Sequence, residues 1–171
     1  TRLAMIIFIG IFQGLRIGEI INLKWEHIDL TNGELLILDA KNTKRFKSGY
    51  GKDRIVPINE MFIPVWKAWK SMVNDEYVIP DKKKRERSMK TLRKLFQSQL
   101  WRALEKVNLL IVNYDLDNGH PRYKYHMHTL RHVCGTNLRR AGMKIEDIRD
   151  FLGHEDVESS MIYAELTKDD L

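Results

Sequence analysis

Apolar residues in this chain recur mainly at the spacing of a helix. Residues 2–13 are almost continuously apolar, and Ile17, Ile20, Ile21 and Leu23 continue the pattern after a break at Gly14, which predicts two helices over 2–13 and 17–24. Two short runs then change the period. Glu34-Leu-Leu-Ile-Leu-Asp39 and Asp53-Arg-Ile-Val-Pro-Ile58 read as strands of one hairpin, joined by a polar, basic tip over residues 41–52 with turn signals at Ser48-Gly49 and Gly51. A helix over 60–72 carries Trp66 and Trp69. Residues 81–87 hold no apolar side chain and read as an exposed loop. Ser88 is a candidate cap for the next helix, in which Leu92, Leu95, Phe96, Leu100, Ala103, Leu104 and Val107 form one stripe. Residues 113–124, with Asn118-Gly119 and Pro121, read as a loop. Three helices follow: 129–141, ended by Gly142; 144–152, ended by Gly153; and 156–165. No internal repeat is present.

This is a mostly α chain with one small antiparallel sheet, of the α+β class. At 171 residues and 43% hydrophobic content it can bury one good core, so one domain is expected. The chain opens inside its first helix without a cap and therefore reads as a fragment or trimmed domain. The apolar run 3–12 is far shorter than the ~20 residues that span a bilayer, and no signal-peptide cleavage pattern follows it. It is a core helix. Cys134, the single cysteine, excludes an internal disulfide, lies among apolar residues of a predicted helix, and fits a reducing compartment. A net charge of +6 with 30% charged residues suits a polyanionic partner, although a solvated basic surface gives the same numbers.

Candidate chemistry gathers in the last third, which reads His128-Thr-Leu-Arg131-His132, then Leu152-Gly153-His154, then Tyr163. A free phenol has a pKa of about 10 and is a poor nucleophile. Among cationic and hydrogen-bonding groups it can attack a phosphodiester and form a covalent intermediate. His128 and Arg131, three residues apart across a helix start, can converge on one site. There Arg131 offers two phosphate oxygens a fork of donors, and His128 can exchange a proton near neutrality. His132 is expected on another helix face, as a packing or hydrogen-bonding residue. Gly153 as a helix stop would project His154 from a fixed turn. Arg16 opens the second helix, where a guanidinium and backbone N–H groups can bind phosphate, with Glu19 as its structural partner. Lys41, Lys44, Lys47 and Lys52 lie in the hairpin tip, and Lys82, Lys83 and Lys84 in the charged run. Each is either a contact to a polyanion or a solvated side chain. Two other readings compete. His126, His128 and His132 could hold a zinc ion, although no acidic ligand lies nearby in sequence. Residues 140–153 resemble a helix–turn–helix, a DNA-binding module without catalysis.

Gly14-Leu15-Arg16-Ile17-Gly18-Glu19-Ile20, followed by Leu23, Trp25 and Ile28-Asp29, resembles the first arginine motif of the tyrosine recombinases, the phage-integrase family. His128-Thr-Leu-Arg131-His132 and the spacing from Leu152-Gly153-His154 to Tyr163 resemble its later motifs. The resemblance runs from residue 1 to about residue 167 and covers that family's catalytic domain, so residues 1–171 are expected to be this domain without the family's N-terminal core-binding domain. It implies a site-specific recombinase or integrase, as in mobile elements, that breaks and rejoins double-stranded DNA through a 3′-phosphotyrosyl link, with no ATP, metal or other cofactor. It implies Tyr163 as nucleophile, Arg16 and Arg131 as charge stabilisers, His128 as base, His154 as a phosphate donor, and a hairpin lysine as general acid. Lys41 best matches that position and Lys44 is the runner-up. It further implies a homo-oligomer, a tetramer on paired DNA sites, for the full-length protein, with the fragment monomeric, and a cytoplasmic protein of prokaryotic or viral origin with no membrane partner. A type IB topoisomerase shares the chemistry, but the Leu-Gly-His segment and the short length favour a recombinase.

Overall fold

A computed structural model describes residues 1–38, 53–81, 87–115, 121–154 and 158–164. Helix α1, Arg2–Phe12, is apolar on nearly every face because it runs through the interior, burying Met5, Ile6 and Ile9. It does have a cap, contrary to the sequence expectation: the Thr1 hydroxyl accepts from the Ala4 amide at 3.3 Å. Helix α2, Ile17–Asn22, begins after a turn at Gly14, whose φ of 63° places it in the left-handed region that glycine tolerates.

Strands β1 (Ile28–Asp29), β2 (Glu34–Ile37) and β3 (Arg54–Pro57) form an antiparallel sheet in the order β1-β2-β3. Leu35 pairs with Val56 on the buried face, whereas Leu36 pairs with Ile55 on the exposed face. This strict alternation puts Arg54, opposite Ile37, in phase with the inward-facing residues.

Helix α3, Ile63–Met72, starts with Pro64 in its first turn, where a missing N–H costs nothing. It inserts Trp66 into the core, edge-on to Phe8 and Trp25, and donates the Trp69 indole N–H to the Val78 carbonyl at 2.8 Å. Helix α4, Met89–Lys106, is capped by Ser88, which accepts from the Thr91 amide, and buries Leu92, Phe96 and Leu100 at four-residue intervals.

A second hairpin replaces the loop expected at 113–124. Strands β4 (Val112–Asp115) and β5 (Pro121–Tyr123) pair antiparallel. Val112 and Tyr114 are exposed, so no inward apolar alternation marked these residues as strands. The Trp101 ring packs on Tyr123 at 4.8 Å, and its N–H donates to the Tyr125 carbonyl, fixing the exit of the hairpin.

Helices α5 (Met127–Arg140) and α6 (Ile145–Leu152) follow, and then a single turn, α7 (Glu158–Met161). The expected final helix over 156–165 is thus shorter among the described residues. After α7 the chain tightens into three-residue bonds, Tyr163 N–H to the Ser160 carbonyl and Ala164 N–H to that of Met161. Tyr163 therefore lies just past the helix rather than on it.

The large core spans α1 to α5. A smaller cluster of Cys134, Ile148, Leu152 and Tyr163 closes the C-terminal end, and Phe151 borders both. Cys134 is the buried thiol the sequence predicted, with burial pushing it up to about 12. No helix among the described residues is long and apolar enough to cross a membrane.

Trp66 is fully buried, and its indole N–H has no partner among the described residues. Trp66→Ala should lower the unfolding free energy by about 3–5 kcal/mol. Trp66→Phe should lose under half of that, because it also removes the unpartnered donor; urea unfolding of the two variants checks the ratio.

Candidate active site

The centre of the site is Arg131. Its position one turn into α5 points the side chain back between the two core clusters, and it is 1% exposed. One terminal N–H₂ donates to the Gly14 carbonyl at 2.8 Å. Its Nε and the other terminal nitrogen are buried without a hydrogen-bond partner among the described residues. Burial and the nearby Arg16 charge lower its pKa to about 10. It still carries its proton at neutral pH, so a full positive charge sits in a poorly solvated place with donors free for an anion.

Arg16 stands at the start of α2, held by Glu19 three residues on. One carboxylate oxygen accepts from the Arg16 backbone N–H at 2.8 Å, and the other from its guanidinium at 3.2 Å. This is one half of a capping box. Across the site, Arg16 also donates to the Gly153 carbonyl at 2.9 Å. Arg54 enters from β3, donating both terminal groups to the two Glu19 oxygens at 3.1 and 2.9 Å and its Nε–H to the Phe151 carbonyl at 3.2 Å. Burial alone would raise the Glu19 carboxyl. The Arg54 hydrogen bonds and charge, with Arg16 behind them, outweigh it and hold the carboxyl below its ordinary value. Two guanidinium groups, those of Arg16 and Arg54, thus share one carboxylate.

Gly153 ends α6 in the left-handed conformation, with φ 67°, as its position after Leu152 predicted. His154 follows it, and its Nδ1 lies 2.7 Å from the hydroxyl of the buried Ser160.

Tyr163 is 2% exposed. Its ring rests on Gly135 of α5, where a Cβ would come within 2.7 Å of Cε2 and 2.8 Å of Cε1. The phenol oxygen lies 3.1 Å from His132 Nδ1. Burial raises the phenol pKa, with the Arg131 charge opposing, and burial lowers that of His132. A protonated phenol and a neutral imidazole share this hydrogen bond, with the imidazole tautomer deciding which of them donates. His128 meets His132 edge-on, with ring centres 4.6 Å apart. The expectation that these two rings occupy different faces is corrected: four residues apart on a helix, they share one. His128 is exposed on one side, yet desolvation by the surrounding site, then the charges of His132 and Arg131, depress it to about 4.

A family model described as "Phage integrase family" matches residues 1–170. The chain belongs to the phage integrase family. Among curated relatives, Tyrosine recombinase XerA of Thermococcus kodakarensis is 27% identical over 172 residues, covering 99% of this chain and 52% of the relative. Tyrosine recombinase XerD of Vibrio vulnificus is 26% identical over 167 residues, covering 92% and 47%. The chain spans about half the length of the curated relatives it matches. The crystal structure of XerH site-specific recombinase bound to palindromic difH substrate, a post-cleavage complex, superposes with a TM-score of 0.69 at 23% identity, covering 99% of this chain and 43% of that one. The mainly helical fold with small antiparallel sheets is that of tyrosine recombinase catalytic domains.

In this phage integrase chain the fold gathers Arg16, His128, Arg131, His154 and Tyr163 around the junction of α2, α5 and α6. Lys41, Lys44, Lys47, Lys52, Lys82, Lys83 and Lys84 lie outside the described residues. No group of three metal-ligating side chains converges among the described residues, so His126, His128 and His132 are not arranged as a ligand set; the rings of His126 and His128 stack 6.5 Å apart. Sequence reasoning missed Arg54 and Ser160. A signal for Arg54 existed: it is two residues before Val56 and four before Ile58, on the face that strand alternation turns inward.

The depressed histidines make stability pH-dependent. An unfolded histidine takes up a proton near pH 6.5, whereas His128 in the site does so only near pH 4. Between those values the unfolded state binds more protons, so stability falls as pH falls. The melting temperature should drop between about pH 7 and pH 4.5, and His128→Asn should show a smaller drop. An equal drop in both would mean that His128 does not resist protonation.

Proposed function

We propose that this chain is the catalytic domain of a site-specific DNA recombinase, acting on double-stranded DNA without ATP or a metal ion. The observation that carries this reading is the buried Arg131 guanidinium, two of whose nitrogens have no partner among the described residues, near Arg16 in a cluster that there holds three guanidinium groups and one carboxylate. Such a cluster is short of negative charge, and a phosphodiester supplies both charge and acceptors. Tyr163 is the nucleophile within the same cluster. The names of the chain's relatives, and the DNA bound to the XerH structure, support the recombinase reading as a whole.

The step is a transesterification. The Tyr163 oxygen attacks the phosphorus, its proton passes to His128, and a 3′-phosphotyrosyl bond forms as the bond to the 5′ oxygen breaks. Lys41, with Lys44 as the alternative, donates the proton that the departing oxygen needs. Arg16 and Arg131 stabilise the charge of the pentavalent transition state, and His154 adds a hydrogen bond. The 5′ hydroxyl of a partner strand reverses the step, so the bond energy is conserved. Because Tyr163 is buried against Gly135 and hydrogen-bonded to His132, it leaves that position before it reaches a phosphate. The whole protein acts as a homo-oligomer, a tetramer on paired sites, in the cytoplasm, with the basic segments 41–52 and 82–84 on the DNA backbone.

A nicked suicide substrate tests this on a denaturing gel. The protein should form a covalent adduct in the presence of EDTA, and Tyr163→Phe should bind DNA but form none. An adduct in the Phe variant would move the nucleophile to another tyrosine, and EDTA-sensitive cleavage would move the chemistry to a metal.

A substrate with a 5′-bridging sulfur leaves without a proton and should restore cleavage to Lys41→Ala. Restoration of Lys44→Ala instead transfers the acid role to Lys44.

A further inference from the structure

We propose that Arg54 is a positioning residue, which locks the Gly153-His154 turn onto the Arg16 helix start and so sets the relative placement of the candidate phosphate-binding groups. The inference rests on the recombinase reading and adds to it a residue from β3.

The geometry separates Arg54 from the other two arginines. Arg131 has two nitrogens with no hydrogen-bond partner among the described residues. Arg54 directs three of its five N–H groups at protein acceptors on two different elements: both oxygens of Glu19 on α2 and the Phe151 carbonyl near the end of α6. Its side chain is 12% exposed and that of Glu19 is 16% exposed, so water screens the pair weakly. A planar guanidinium suits this bridge, because its fork matches a carboxylate while Nε–H points sideways to a third acceptor.

The turn itself is built around Arg54. A Cβ at Gly153 would stand 2.8 Å from the near terminal nitrogen, 2.9 Å from Cδ and 3.0 Å from Cζ. Gly153 is therefore glycine for two reasons, its left-handed φ and the passage of the Arg54 side chain across it. Arg16 holds the same residue from the other side through its carbonyl, at 2.9 Å. Glu19 lies between the two arginines and ties them together. His154 directly follows Gly153, so a shift of the turn moves its ring relative to Arg16. A displacement of about 1 Å at a reacting centre can cost 10²-fold in rate.

The experiment is a double-mutant cycle on the whole protein, read as single-turnover adduct formation at saturating DNA. Arg54→Ala should slow adduct formation by roughly 30–100-fold and leave the DNA concentration for half-saturation within about threefold. In a His154→Ala background the same change should slow it by less than about threefold, because the turn no longer carries a group to misplace. Arg54→Lys keeps the charge but not the fork and should resemble Arg54→Ala; it also carries the cycle if the alanine variant does not fold. Equal factors in both backgrounds overturn the proposal, as does a raised half-saturation with unchanged maximal rate, which would make Arg54 a DNA contact. If the unaltered protein forms no adduct, the recombinase reading has failed rather than this one. The positioning claim is then read by NMR: Arg54→Lys must shift the Gly153 amide and the His154 ring while leaving the Trp66 indole in place, and unmoved Gly153 and His154 signals overturn it.

Discussion

The buried charge of Arg131 is the constraint around which the site is organised. A guanidinium at 1% exposure, with one hydrogen bond among the described residues, to the Gly14 carbonyl, depends for its place mainly on the packing of α1 against α5. Leaving donors of a charged group unpaired away from water costs about 1–3 kcal/mol or more. The fold tolerates that cost, and Gly14 takes a left-handed conformation with its carbonyl on the one donor that is satisfied. Everything else in the cluster is arranged to keep further cations close without collapse. Glu19 neutralises part of the charge, and the imidazoles of His128 and His132 stay neutral because desolvation by the site and the neighbouring positive charge both oppose protonation.

The division of labour among the three arginines follows from which elements they stand on. Arg131 comes from the second turn of α5, the helix packed along α1, and is buried there. Arg16 stands at a helix start, half on protein acceptors. Arg54 sits on a strand whose alternation turns it inward, and most of its donors are taken up by protein contacts. The same side-chain type thus serves as anion receptor, shared group and brace, and hydrogen-bond accounting, rather than residue identity, tells them apart.

Much of this was legible in the sequence. The three-residue spacing of His128 and Arg131, the Leu152-Gly153 helix stop and the apolar stripe of α4 each have a local cause, so a linear reading reaches them. What was missed has a non-local cause. Arg54 matters because β3 passes beside the end of α6, 97 residues away in sequence. The β4–β5 hairpin was invisible because its strands are short and face water. His132 was assigned to the wrong face, although the four-residue spacing from His128 already placed the two rings side by side; its contact with Tyr163 needed the fold. The final helix was overextended because residues 156–165 keep a helical composition while the chain after Met161 turns inward to bury the tyrosine.

That burial divides the protein energetically. Tyr163 belongs to a cluster with three other buried members, Cys134, Ile148 and Leu152, set apart from the much larger core of α1 to α5. A small unit of this kind opens at a fraction of the free energy of global unfolding. The phenol ring seated on Gly135 is therefore part of the glue of the last two helices as well as the candidate reactive group. Each contact that makes this corner of the domain more stable also deepens the well from which the ring must climb, so thermal robustness here and readiness to react are set against each other by the same few carbon atoms.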